Sequence, residues 1–191
     1  MDIEMMKGAL FVHMVEFAQQ QLGASEAEGV ISKLHLKSRA AYTTVGMYPF
    51  AEFVALQRAF ADRVGVDSEE FVRLFGRHTL PALMAGQDHG TSMHPFDFLE
   101  RVHGVIHRDV RKLYRDANPP NVQVIEREGD ECLTLRYSSG RPLAAFCEGM
   151  LEATLETFGR SAEYKVERID PAPRRDTFAE FRVWRHPVGG G

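Results

Sequence analysis

The sequence predicts an α+β fold, and three observations carry that reading. Apolar residues recur at helical spacing from Met6 to about Arg115, the period changes to two after Pro119-Pro120, and the rest of the chain reads strand-strand-helix-strand-strand. Helices first and an antiparallel sheet afterwards is the order of an α+β domain rather than of a doubly wound one. The domain should span residues 1–188, with Gly189, Gly190 and Gly191 as a loose tail.

Each element follows from its residues. Leu10, Met14, Phe17 and Leu22 form the stripe of a first helix. Phe50, Phe53, Val54, Phe60 and Val64 form a second behind Pro49, a residue suited to a first helical turn. Asp67 and Ser68 should open a third, with Glu69 and Glu70 favourable to its positive end and Phe71, Phe75 and Leu83 on its buried side. Pro81 should end or bend it. A fourth runs from about Pro95 to Tyr114, with Leu99, Val102, Ile106, Val110 and Leu113 in one stripe, and stops before Asn118-Pro119-Pro120. Val122 and Val124, then Leu133, Leu135 and Tyr137, alternate with polar residues across Glu128-Gly129-Asp130, a hairpin pattern. A helix from Pro142 to about Phe158 follows, with Gly159 placed as a carboxyl-terminal cap. Strands near Tyr164–Ile169 and Phe178–Trp184 complete the chain.

Composition narrows the function classes. A chain of 191 residues, 44% apolar and 26% charged, is long enough for a continuous core with an internal pocket. Its net charge of −4 provides no cationic field for phosphate backbones or anionic lipid, which disfavours nucleic-acid partners. No stretch approaches the roughly 20 apolar residues of a membrane span, so membrane insertion is not expected. Cys132 and Cys147, without a secretory leader ahead of them, point to a reducing, cytoplasmic setting. Thirteen Phe, eight Met and eight His permit a metal or haem pocket without requiring one.

Two constellations could carry chemistry. His103 and His107 lie four apart and would share a helix face, with His103 inside the apolar stripe and His107 at its edge. They could be a core and a surface histidine, or either could face a cofactor; His89 and His94 sit in the loop ahead. The second is Tyr137-Ser138-Ser139-Gly140-Arg141. In extended chain Tyr137, Ser139 and Arg141 would point one way, offering two hydroxyls and a guanidinium fork to an anion.

Tyr-x-Ser-x-Arg downstream of a histidine-bearing helix and a Pro-Pro pair resembles the haem nitric-oxide and oxygen binding (H-NOX) family, the sensor domain also found in soluble guanylate cyclase. Met6-Lys7-Gly8 is similar to the family's start, which implies that Met1 to Met5 are an extension or an upstream start. Phe98-Leu99 resembles the lead of its haem-bearing helix, and Ala117-Asn118-Pro119-Pro120 its proline turn. The resemblance implies haem b with His107 as proximal iron ligand and Tyr137, Ser139 and Arg141 on the propionates. It further implies a haem pocket that includes Leu10, Met14, Thr79, Pro120 and Phe146. Oxygen-binding relatives carry a distal tyrosine where this chain has Phe146, and Met14 and Thr79 stand at the partner positions. The implied ligands are nitric oxide and carbon monoxide at ferrous haem, with little stable oxygen binding. Release of His107 and relaxation of a haem distorted by Leu10 and Pro120 would pass the signal to a separate effector, a histidine kinase or a cyclic-dinucleotide enzyme. Such a protein is not itself an enzyme. The competing expectations are a zinc hydrolase built on His103, His107 and Asp97 or Asp109, and a haemless interaction module of the same fold. Neither a Gly-x-Ser-x-Gly elbow nor a Gly-rich phosphate loop is present to favour catalysis.

Overall fold

The computed structural model describes residues 4–85, 93–102, 119–169 and 173–186. It divides into two compact units, residues 1–75 and 76–191, with the boundary inside one helix.

In the first unit a short strand β1 (Met5–Lys7) runs directly into α1 (Gly8–Leu22). Gly8 has to be glycine: a Cβ there would collide with the Thr43 carbonyl and lie 2.6 Å from the Tyr48 ring. After α2 (Ala24–Ser32), the chain returns through β2 (Met47–Pro49), antiparallel to β1, and enters α3 (Phe50–Val64). Gly65 ends α3 in the left-handed conformation, φ 85°. Asp67 caps α4 (Ser68–Met84), its carboxylate accepting from the Glu70 amide at 2.8 Å. Phe11, Phe17, Phe53, Phe60, Phe71 and Phe75 are almost fully buried and meet ring to ring, as in the edge-on Phe11–Phe53 pair at 5.5 Å. Glu52 is buried in this unit, bonded by the Ser38 amide and hydroxyl and by the Tyr42 hydroxyl. Burial opposes its charge, but those donors outweigh it and hold the carboxyl below its usual range.

The second unit is a four-stranded antiparallel sheet with helices against its apolar face. α5 (Pro95–Arg101) precedes β3 (Asn121–Glu128), β4 (Cys132–Ser138), α6 (Ala144–Thr157), β5 (Tyr164–Arg168) and β6 (Phe178–Arg185). The sheet order is β3-β4-β6-β5. β4 and β5 therefore run parallel on either side of β6, and only a long connection such as α6 can join them. Leu133, Leu135, Tyr137, Ala179, Phe181 and Val183 alternate inward as the period of two requires.

Differences from the sequence reading are local. α4 continues three residues past Pro81, and Leu83, expected inside, is 45% exposed because the last turn leaves the core. α6 begins at Ala144 rather than Pro142, since the Leu143 amide is turned back onto the Arg141 carbonyl at 2.9 Å. β1, β2 and α2 carried no recognised signal. Of the fourth predicted helix only α5 falls within the described residues; the part from 103 to Tyr114 and the glycine tail lie outside them.

Candidate functional site

The described part of the site is built where β4 ends. Tyr137, the last inward residue of β4, is 2% exposed. Since β4 stops at Ser138, Ser139 and Arg141 belong to the loop that leads into α6. A turn, rather than strand alternation, brings the Tyr137 and Ser139 side chains to the Arg141 backbone. The Tyr137 hydroxyl donates to the Arg141 carbonyl at 3.3 Å, and the Arg141 amide donates to Ser139 Oγ at 3.1 Å. Arg141 Nε is shielded from solvent. Burial pushes the Tyr137 hydroxyl up to about 12 against a smaller opposing pull from Ser139, so the phenol stays a neutral donor.

Residues that sequence reasoning missed hold the loop in place. The Ser139 amide donates to the Thr177 carbonyl at 2.9 Å and the Ala144 amide to that of Asp176 at 3.1 Å. Asp176 is fixed in turn by Arg168, whose Nη1 lies 3.1 Å from Oδ1 and whose side chain is only 2% exposed. An arginine at an inward position of a strand was the available signal, because such a charge is retained only when paired.

The other candidates divide between the units. Leu10, half-buried, and Met14, fully buried, lie on α1 in the first. Thr79 on α4 is fully buried in the second unit, where Phe146 on α6 and Pro120, just before β3, are half-buried. Phe146 is held by a close helix approach: a Cβ on Gly76 would lie 3.1 Å from its carbonyl carbon and closer still to the oxygen. A glycine in the middle of an apolar helical stripe signals such an approach. Burial also pushes the neighbouring Cys147 thiol up to about 12, which leaves it inert.

His89, His103, His107 and Asp109 lie outside the described residues. Asp97, the other carboxylate of the zinc expectation, is bound to Arg127 at 2.8 Å. Among the described residues, no group of three or more His, Cys, Asp or Glu side chains could hold a metal, and no helix is long and apolar enough to cross a membrane.

A helical amino-terminal unit and a second unit built on a four-stranded antiparallel sheet define an α+β fold. The Haem-NO-binding (HNOB) family matches residues 7–166, and the chain belongs to this family, the H-NOX domains, which are haem-based gas sensors rather than catalytic domains. Solved structures agree. An Fe(II) unliganded H-NOX variant from K. algicida is 26% identical over 95% of this chain and 97% of its own, with a TM-score of 0.80. H-NOX from Shewanella woodyi in the Fe(II)CO ligation state is 29% identical over 97% of both chains, with a TM-score of 0.78. An S. oneidensis H-NOX in the Fe(II)NO state shares the fold at 21% identity, covering 95% of this chain and 99% of its own, with a TM-score of 0.78. Comparison with curated protein sequences gives no significant match.

Proposed function

We propose that this chain senses nitric oxide through ferrous haem b, with His107 as the iron ligand, and also takes up carbon monoxide while binding little oxygen stably. The observation that carries the proposal is the loop behind β4. A buried phenol, a serine hydroxyl and a guanidinium within five residues have the donor chemistry that two carboxylates need on leaving water, so Tyr137, Ser139 and Arg141 fit the propionates. When bound, haem supplies a ferrous iron with one coordination position open to a gas, and the polarity around that position decides which gas stays. Leu10, Met14, Thr79, Pro120 and Phe146 are the proposed pocket residues. Neither Met14 nor Phe146 has a hydrogen to donate, so they give no support to a ligand that gathers negative charge, whereas nitric oxide and carbon monoxide need little. Arg168 and Asp176 keep the serine-arginine loop in register. The chain acts as one domain over residues 1–188 and signals allosterically to a separate effector, a histidine kinase or a cyclic-dinucleotide enzyme. Its free cysteines suit a reducing cytoplasm.

Absorption spectroscopy of the purified chain tests this. The expected record is a Soret band that moves on reduction and again with nitric oxide or carbon monoxide, and no persistent ferrous-oxygen spectrum in air. His107→Gly should retain haem only with added imidazole. A stable spectrum with oxygen refutes the gas selectivity, and unchanged haem binding in His107→Gly refutes the ligand assignment.

A further inference from the structure

The start of α5 is tied to the sheet through one histidine. His94 is the N-cap of α5, and its Nδ1 accepts from the Phe96 amide at 3.2 Å. Its Nε2 lies 3.1 Å from the Tyr164 hydroxyl. That hydroxyl already donates its single hydrogen to the Asp130 carbonyl at 2.7 Å, and it accepts from Arg185 Nη2 at 2.9 Å. Tyr164 can therefore only accept from His94, so Nε2 carries the hydrogen and Nδ1 presents a lone pair. The partners thus select one neutral tautomer and occupy both ring nitrogens. Edge-on contacts with Phe96 at 4.8 Å and Tyr164 at 5.8 Å hold the ring in place.

A second proton has only Nδ1 to occupy, where it would meet the Phe96 N–H donor to donor. The Asp130 carboxylate is 3.8 Å from Nδ1, too far for a hydrogen bond without a swing of the ring. The other charged groups around His94, among the described residues, are Asp97 on α5, Arg127 on β3, Arg160 and Glu163 before β5, and Arg185 on β6. Arg127 already pairs with Asp97, Glu100 and Asp130, and Arg160 with Glu163, so an imidazolium would share these acids with the arginines.

We propose that His94 is a proton-operated latch: neutral, it fastens the first turn of α5 to the sheet through Tyr164, and protonation releases the Phe96 amide as the ring turns toward Asp130. Burial, the largest influence, holds the imidazole below its ordinary value, although Asp130 and Asp97 pull the other way. A depressed value means that the unfolded chain takes up the proton first. The latch is thus complete above about pH 6.5 and is lost as the pH falls through the lower folded value. This device goes beyond gas sensing and uses no group of the haem site.

Nuclear magnetic resonance and amide exchange on the full chain test it. At pH 7.5 the His94 ring should be the Nε2–H tautomer, and protection of the Phe96 amide, corrected for intrinsic exchange, should fall progressively as the pH is lowered through the imidazole's depressed folded value. His94→Asn and His94→Ser, two caps that do not titrate, should hold that protection flat. A hydrogen on Nδ1 at pH 7.5, flat protection in the parent chain, or the same fall in whichever variant folds overturns the latch.

Discussion

Replacing Gly76 by alanine is the sharpest test of the helix contact that places Phe146. The added Cβ would lie 3.1 Å and 3.2 Å from the carbonyl carbon and Cα of Phe146, and nearer still to its oxygen. All three atoms are backbone, so no rotamer change relieves the clash. To restore ordinary carbon contacts of about 3.5–4.0 Å, α4 and α6 must separate by on the order of 1 Å. Overpacking of this kind costs about 1–3 kcal/mol. Alanine otherwise gains about 1 kcal/mol over glycine inside a helix. Because the obstacle is rigid, the steric cost exceeds that gain, and we expect a net loss of up to about 2 kcal/mol, or a Tm lower by up to about 8 °C for a domain of this size. Gly29→Ala in α2 is the control, since nothing lies within 4 Å of its Cβ; it should gain about 0.5–1 kcal/mol. Urea unfolding of both variants beside the parent reads the contrast. If Gly76→Ala is as stable as Gly29→Ala, the helices are not in the contact described, and the argument for a fixed Phe146 fails with it.

Arg141→Ala should leave the fold intact and lower haem retention about tenfold or more, since one charge-assisted bond is worth about 1.5–3 kcal/mol; transfer of haem to an apo-globin acceptor measures it. Asp176→Ala should cost about 2 kcal/mol by urea unfolding, because it removes the carboxylate that accepts a charge-assisted bond from the buried Arg168 guanidinium. Cys147, raised to about 12, should be thiolate in roughly one molecule in ten thousand at pH 8, and so should react with a disulfide reagent far more slowly than a free thiol; rapid labelling in the native state refutes the raised value. For Tyr137 the folded value lies above the unfolded one, so its contribution is complete below about pH 10 and disappears as the pH rises through about 12, which alkaline titration of tyrosinate absorbance follows.

Local pattern alone determined much of this protein. Helical stripes marked α1, α3 and α4, alternation marked the β-sheet, and Asp67 and Gly159 marked helix ends, because each of these is set by neighbours within a turn or a strand. The Tyr137-Ser139-Arg141 spacing pointed to an anion, and the motifs around it pointed to the H-NOX family. Tertiary structure decided what depends on residues far apart in the chain. The pairing of β1 with β2 joins two three-residue strands some 40 residues apart, too short for any periodic signal. α2 opens behind Gly23 with no side-chain cap and buries only Ala27 and Val30. Ser139 and Arg141 meet Tyr137 through a turn held by Asp176 and Thr177, and Gly76 sets the seat of Phe146. Sequence spacing records which donors exist. Where they converge is fixed by backbone hydrogen bonds and steric contacts between distant segments, which no local period encodes.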